Sequence, residues 1–173
     1  MVAYHDDEWG VPTHDDIELF ERLALESFQA GLSWSTILRK REAFREAFRG
    51  FDPRVVAAFD EADVARLMAD AGIVRNRAKI DATIGNAAAL LRVAGEFGSY
   101  DRYLADRVPG PPARLAGDAL SGQIPATTPV SDALSVDLKR RGFRFVGSTI
   151  VYAFMQSVGL VDDHPPGCFR YQG

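Results

Sequence analysis

Apolar side chains recur at helical spacing along most of this chain, and no segment alternates as a strand would. That contrast limits the fold more than any single motif. Between Asp15 and Ala30, the residues Ile17, Phe20, Ala24 and Phe28 share one stripe, with Leu19 and Leu23 beside it. The punctuation agrees with the period. Gly31 interrupts the stripe, and Ser33 caps a second helix that reaches about Phe48 and stops at Gly50. Asp52-Pro53 supplies a cap and a first-turn proline for a short helix. Further helices are expected over 63–71, from 76 to about 97, from Ser131-Asp132 to near Gly142, and from 146 or 147 to 158. Tyr4 to Gly10 reads as a polar, irregular entry, and 108–129, rich in proline and glycine, as an irregular excursion. The expected fold is all-α, a compact helical bundle. At 173 residues, 47% of them hydrophobic, the chain suits a single domain or two intimately joined lobes with a real core.

One turn stands apart. Lys139-Arg140-Arg141-Gly142-Phe143-Arg144-Phe145-Val146-Gly147-Ser148-Thr149 ends one helical pattern in cations and opens another with hydroxyls. Glycine admits a left-handed backbone and close approach by another chain. A new helix start offers unpaired N–H groups and the positive end of a dipole. Lys139, Gly142, Arg144 and Gly147 are therefore candidates to seat a phosphate. The formal net charge of −4 argues against a protein that coats nucleic acid, yet allows a small basic footprint. Two other clusters, Arg39-Lys40-Arg41 and Arg75-x-Arg77-x-Lys79, lack flanking glycines of this kind, and the first reads as a solvated helix face.

Three constellations could carry chemistry. Glu26 shares a helix face with Leu19, Leu23 and Ala30, where the pattern expects an apolar side chain. Taken alone it is a glutamate that snorkels or pairs with an arginine; if buried, it is expensive and marks a functional site. Tyr4, Trp9 and Trp34 lie beside breaks and polar residues. They can fill core or line a pocket that stacks a flat ring. His164-Pro165-Pro166-Gly167-Cys168 sets a histidine and a cysteine at chelating spacing, and His5 lies at the other end of the chain. These are nitrogen and sulfur donors of the kind zinc takes. Cys168 is the sole cysteine, so no internal disulfide forms. No Walker loop, dinucleotide fingerprint or nucleophile elbow is present.

In order along the chain, five motifs resemble the 3-methyladenine DNA glycosylase I family. They are Tyr4-His5-Asp6-x-Glu8-Trp9-Gly10-Val11-Pro12, then Leu25-Glu26-x-x-Gln29-Ala30-Gly31-Leu32-Ser33-Trp34, and Ala71-Gly72-Ile73-x-Arg75-x-Arg77-x-Lys79-Ile80. The fourth runs from Ser131 through Phe143-x-Phe145-Val146-Gly147, and the fifth is His164-x-x-Gly167-Cys168. The resemblance implies a helix-hairpin-helix DNA glycosylase fold over 1–173, with the hairpin element over about 132–158. It implies a base-excision enzyme that extrudes 3-methyladenine from alkylated double-stranded DNA and hydrolyses its glycosidic bond without cutting the strand. Glu26 would be the catalytic carboxylate, Tyr4 would help bind the base, and Trp9 and Trp34 would wall it. The turn at Gly31-Leu32 would enter the duplex. His5, His164 and Cys168 would hold a structural zinc together with a cysteine some dozen residues before Tyr4, which this sequence does not contain. A rival reading is a non-catalytic DNA-binding module of the same fold. A second is a small metal-binding structural protein. A monomer is expected. With no bilayer-length apolar run and an N-terminus too polar for a signal peptide, so is a cytoplasmic location.

Overall fold

The computed structural model describes residues 2–110, 112–114, 124–164 and 167–170. Residues 115–123 of the proline- and glycine-rich excursion lie outside the described residues, as do Pro165 and Pro166. The helical spacing read from the sequence becomes helix almost throughout. Asp15 accepts from the Glu18 N–H and starts α2 (Asp16–Gln29); Ser33 accepts from Thr36 N–H and starts α3 (Trp34–Ala47). A short 3-10 turn (Arg49–Phe51) leads into α4 (Pro53–Val56), capped by Asp52 with Pro53 in its first turn. Asn76 caps α6 (Arg77–Phe97), and Gly98, left-handed at φ 95°, ends it.

Some boundaries differ from the expectation. The helix expected at 63–71 is α5 (Glu61–Ala69), because Asp60 and Asp63 form a reciprocal capping box two residues earlier. The helix expected from Ser131 is α8 (Pro129–Arg140), for the same reason: Thr128 and Ser131 cap each other, and Pro129 opens the helix. The N-terminal stretch taken as irregular contains α1 (Val2–Asp7), and a further helix, α7 (Tyr100–Arg107), is capped by Ser99. The last helix, α9 (Ser148–Ser157), starts at Gly147. Among the described residues the strands are two dipeptides, β1 (Ala113–Arg114) and β2 (Val161–Asp162), paired in parallel.

Helix α2 runs through the middle of the molecule and packs on α3, α6, α7 and α9. Every residue from Leu19 to Phe28 is buried, including Glu21, Arg22, Glu26 and Ser27. An aromatic seam holds α2 to α3 and the 3-10 turn: Phe28 and Phe44 rings lie 4.7 Å apart, and Phe48 stacks on Phe51 at 5.3 Å. A helix buried all round cannot keep its polar residues in water, so each must find a partner or a cavity.

The two ends of the chain meet at Gly159. A Cβ built there would stand 2.8 Å from the Pro12 nitrogen and 3.0 Å from the Gly10 oxygen, and its φ is +74°. Gly159→Ala should therefore cost about 2 kcal/mol, measurable as a drop in denaturation midpoint without change in slope.

Candidate active site

Tyr4 and His5 from α1, Trp9 after it, Glu26 and Gln29 from α2, Trp34 from α3 and Ala153 and Gln156 from α9 line one cavity of about 280 Å³. Glu26 is 5% exposed, and no side chain among the described residues hydrogen-bonds its carboxylate. The nearby cation Arg22 is taken: its Nη2 donates to Glu18 at 2.9 Å and Glu8 at 3.1 Å. Burial pushes the Glu26 carboxyl up to about 8, and the Arg22 charge only partly opposes the shift. The cavity thus holds a carboxyl with unfilled hydrogen-bonding capacity and a strong incentive to meet a cation.

The walls are aromatic and braced from behind. The Tyr4 and Trp34 rings lie 5.4 Å apart, tilted by 51°. Arg22 and Arg41 flank the Tyr4 ring at 5.5 and 6.0 Å, and Arg22 Nη1 donates to the Tyr4 hydroxyl at 3.4 Å. Burial raises the Tyr4 hydroxyl to about 12, so it stays a neutral donor. Arg41 Nη1 and Arg22 Nη2 share the Oε2 of Glu8, at 2.6 and 3.1 Å, and Arg41 Nε donates to Glu21 at 2.6 Å. This network fastens the end of α1 to α2 and α3. The Trp34 indole N–H is buried without an acceptor among the described residues.

Trp9 leans on a second cluster. Its ring meets His164 edge-on at 4.8 Å and lies nearly parallel to His5 at 5.9 Å. Ligand atoms of His5, His164 and Cys168 lie within 4.8 Å of one another. Asp162 engages His164 Nδ1 at 2.8 Å, and Nε2 is buried without a partner among the described residues. A carboxylate that orients an imidazole whose far nitrogen is free is the usual support of a metal-bound histidine. Two nitrogens and a sulfur fit zinc, and the described residues offer no fourth donor to the group.

Two turns adjoin helices that carry cavity residues. Gly31, at φ 82°, and Leu32, 43% exposed, form the α2–α3 connection. Helices α8 and α9 pack together and flank the turn 141–147. The strain in that turn is not where two glycines suggest. Gly142 is left-handed at φ 94°, but Gly147 is extended, and Phe145 takes the positive φ of 54°. Gly147 instead leaves open space at the start of α9, where a Cβ would meet nothing. Lys139 and Arg144 have exposed side chains with no acidic partner among the described residues. Arg140 and Arg141 do not share that freedom: both bind Asp137, and Arg141 also binds Glu96 at 2.7 Å.

A family model described as methyladenine glycosylase matches residues 1–171. The chain belongs to the methyladenine glycosylase family. It is 52% identical over 172 residues to DNA-3-methyladenine glycosylase 1 of Escherichia coli (strain K12), across 99% of this chain and 91% of the relative. A crystal structure of 3-methyladenine DNA glycosylase I matches with a TM-score of 0.93 at 50% identity, over 99% of this chain and 93% of that one. The 3-methyladenine DNA glycosylase I of Staphylococcus aureus, whose structure addresses the recognition of 3-methyladenine, matches with a TM-score of 0.91 at 41% identity, over 96% and 88% of the two chains. The all-α reading of the sequence and the family resemblance both hold.

In this member of the methyladenine glycosylase family the fold gathers Tyr4, Trp9, Glu26 and Trp34 around one cavity. It gathers His5, His164 and Cys168 into one group. It separates the cations that the sequence grouped. The cluster Arg39-Lys40-Arg41, read as a solvated face, has only Arg39 exposed: Arg41 is buried, and Lys40 donates to the Ala71 and Gly72 carbonyls. The cavity residues missing from the sequence reading are Gln29, Ala153 and Gln156, together with His5 in its second position as cavity wall. Gln29 sits three residues after Glu26, so helix period alone points to it. Nothing local ties Gln156 to Glu26, 130 positions away.

Proposed function

We propose that this chain is a base-excision repair glycosylase that extrudes 3-methyladenine from alkylated double-stranded DNA and hydrolyses its N-glycosidic bond. The observation that carries the proposal is the Glu26 carboxyl, buried without a hydrogen-bond partner among the described residues in a cavity walled by Tyr4, Trp9 and Trp34. Such a group costs stability, and a module that only bound DNA would gain nothing from it. Methylation at N3 makes the base a cation and a good leaving group. The aromatic faces of Trp9 and Trp34 favour a cationic ring, and the Glu26 carboxylate pairs with its charge and accepts from its edge. Ordinary adenine lacks the charge and is bound less well. In the reaction the C1′–N9 bond breaks, its electron pair neutralises the ring, and water adds its oxygen to C1′ and gives up one proton to solvent. Incubation with methylated duplex followed by chromatography should show free 3-methyladenine; its absence would leave the DNA-binding module as the better reading.

The same proposal covers strand integrity. No lysine among the described residues lines the cavity, and this supports a reaction without a Schiff-base nucleophile. DNA recovered after base release should be cut only when the abasic site is treated with alkali. The α8–turn–α9 element would be the helix-hairpin-helix, with Gly142, Gly147, Lys139 and Arg144 on the phosphates and Gly31-Leu32 filling the space the base leaves.

His5, His164 and Cys168 would hold zinc, which would tie the two ends of the chain together and supply folding energy rather than chemistry. Purified protein should carry zinc, and chelation should lower Tm by several degrees, on the order of the loss of a 1–2 kcal/mol interaction. A monomer acting in the cytoplasm completes the proposal; no helix among the described residues is long and apolar enough to cross a membrane.

A further inference from the structure

Helix α6 makes hydrogen bonds to both turns. Lys79 is 7% exposed, and its Nζ donates to the Phe28 carbonyl at 2.9 Å and the Ala30 carbonyl at 2.6 Å. These are carbonyls at the C-terminal end of α2, where unpaired acceptors and the negative end of the dipole favour a cation. Between them, the Gln29 carbonyl accepts from Leu32 N–H at 2.6 Å. The turn that carries Leu32 is therefore pinned carbonyl by carbonyl. Seven residues on, Asn86 is 2% exposed and clamps one residue of the other turn from both sides. Its Nδ2 donates to the Arg144 carbonyl at 2.9 Å, and its Oδ1 accepts from Arg144 N–H at 2.8 Å. Positions 79 and 86 share a helix face about 10 Å apart along the axis. Lys79 and Asn86 do not line the cavity.

We propose that Lys79 and Asn86 are positioning residues that hold the Leu32 turn and the Arg144 turn at one fixed spacing, so that both engage a single duplex at once. The inference rests on the assignment of those turns to DNA made under Proposed function. Burying an ammonium against two carbonyls, and spending a whole side-chain amide on one backbone residue, fixes turns that would otherwise flex independently at the surface.

The test compares two affinities in each variant: for a duplex carrying a tetrahydrofuran abasic site, and for free 3-methyladenine, which reports only on the cavity. Lys79→Met and Asn86→Leu should each weaken the abasic duplex by about tenfold, and leave the free base within about twofold. Lys79→Met should add nothing further in a Leu32→Ala background, because both act through one turn. Equal loss of both affinities would show general loosening and overturn the inference, as would unchanged duplex binding or additive costs of Lys79→Met and Leu32→Ala. Should Lys79→Met fail to fold, Asn86→Leu carries the same comparison through the other turn. A Leu32→Ala protein that binds abasic duplex like the parent would instead defeat the assignment of that turn to DNA, and the inference with it.

Discussion

Replacing Glu26 with glutamine should reduce release of 3-methyladenine by about a hundredfold, the usual cost of losing one group aimed at developing or resident charge. Affinity for undamaged duplex should stay nearly intact, because Glu26 lines the cavity and neither Leu32 nor Arg144 does. The pH dependence supplies an independent check. Burial holds this carboxyl up to about 8, against an ordinary value of 4.5. Below that the empty site is protonated and cannot offset a cationic base, so release by the parent should climb with pH and level off above about 8. The glutamine variant should show no such climb. Stability should move the other way. A carboxyl with a raised folded value holds its proton more tightly folded than unfolded between 4.5 and about 8, so the parent loses stability as pH rises through that window. Glu26→Gln should therefore melt higher than the parent at pH 8.5 and much closer to it at pH 4.5. Unchanged turnover would remove Glu26 from the chemistry, whatever the melting curves show.

Reversing Lys139 and Arg144, cations at the α8–α9 turn with no acidic partner among the described residues, by Lys139→Glu with Arg144→Glu, should weaken binding to every duplex by about a hundredfold near physiological salt and flatten the log–log salt slope by about two. The effect should not depend on sequence or damage, since phosphate contacts position a protein without reading bases. Release of base at saturating DNA should persist, because the cavity is untouched. The choice of these two residues comes from the structure. Arg140 and Arg141 stand next to them in sequence but are held by Asp137, whose carboxyl, despite burial, is kept well below the usual range by donors from Arg141, Tyr103, Arg107 and Arg140. An unaltered salt slope would take the α8–α9 turn off the contact surface.

The legible part of this protein was local. Ser33 and Asp52 cap the helices expected of them, and Asp15 and Asn76, where two more helical patterns begin, cap those helices too, each acting on the next turn of chain. The helix from Tyr100 to Arg107 lies past the expected one at 76 to about 97, and its local signal is Ser99, which caps it directly after left-handed Gly98. The cation clusters were misleading for a related reason. Adjacent charges on a helix point in different directions, so neighbours such as Lys139 and Arg141 meet quite different surroundings.

By itself, the sequence determined the helical class and the helix starts, and its ordered motifs determined the family, because periods and caps act within a few residues. Only the tertiary structure decided that Glu26 lies in a cavity with no partner among the described residues while Arg22, one turn away, is held by Glu18 and Glu8. Only it decided that Lys79 faces inward to the end of α2, and that Gln156 joins Glu26 in one wall. Burial and partnership arise where distant segments meet, and a helical period gives the face of a residue without saying what that face will touch.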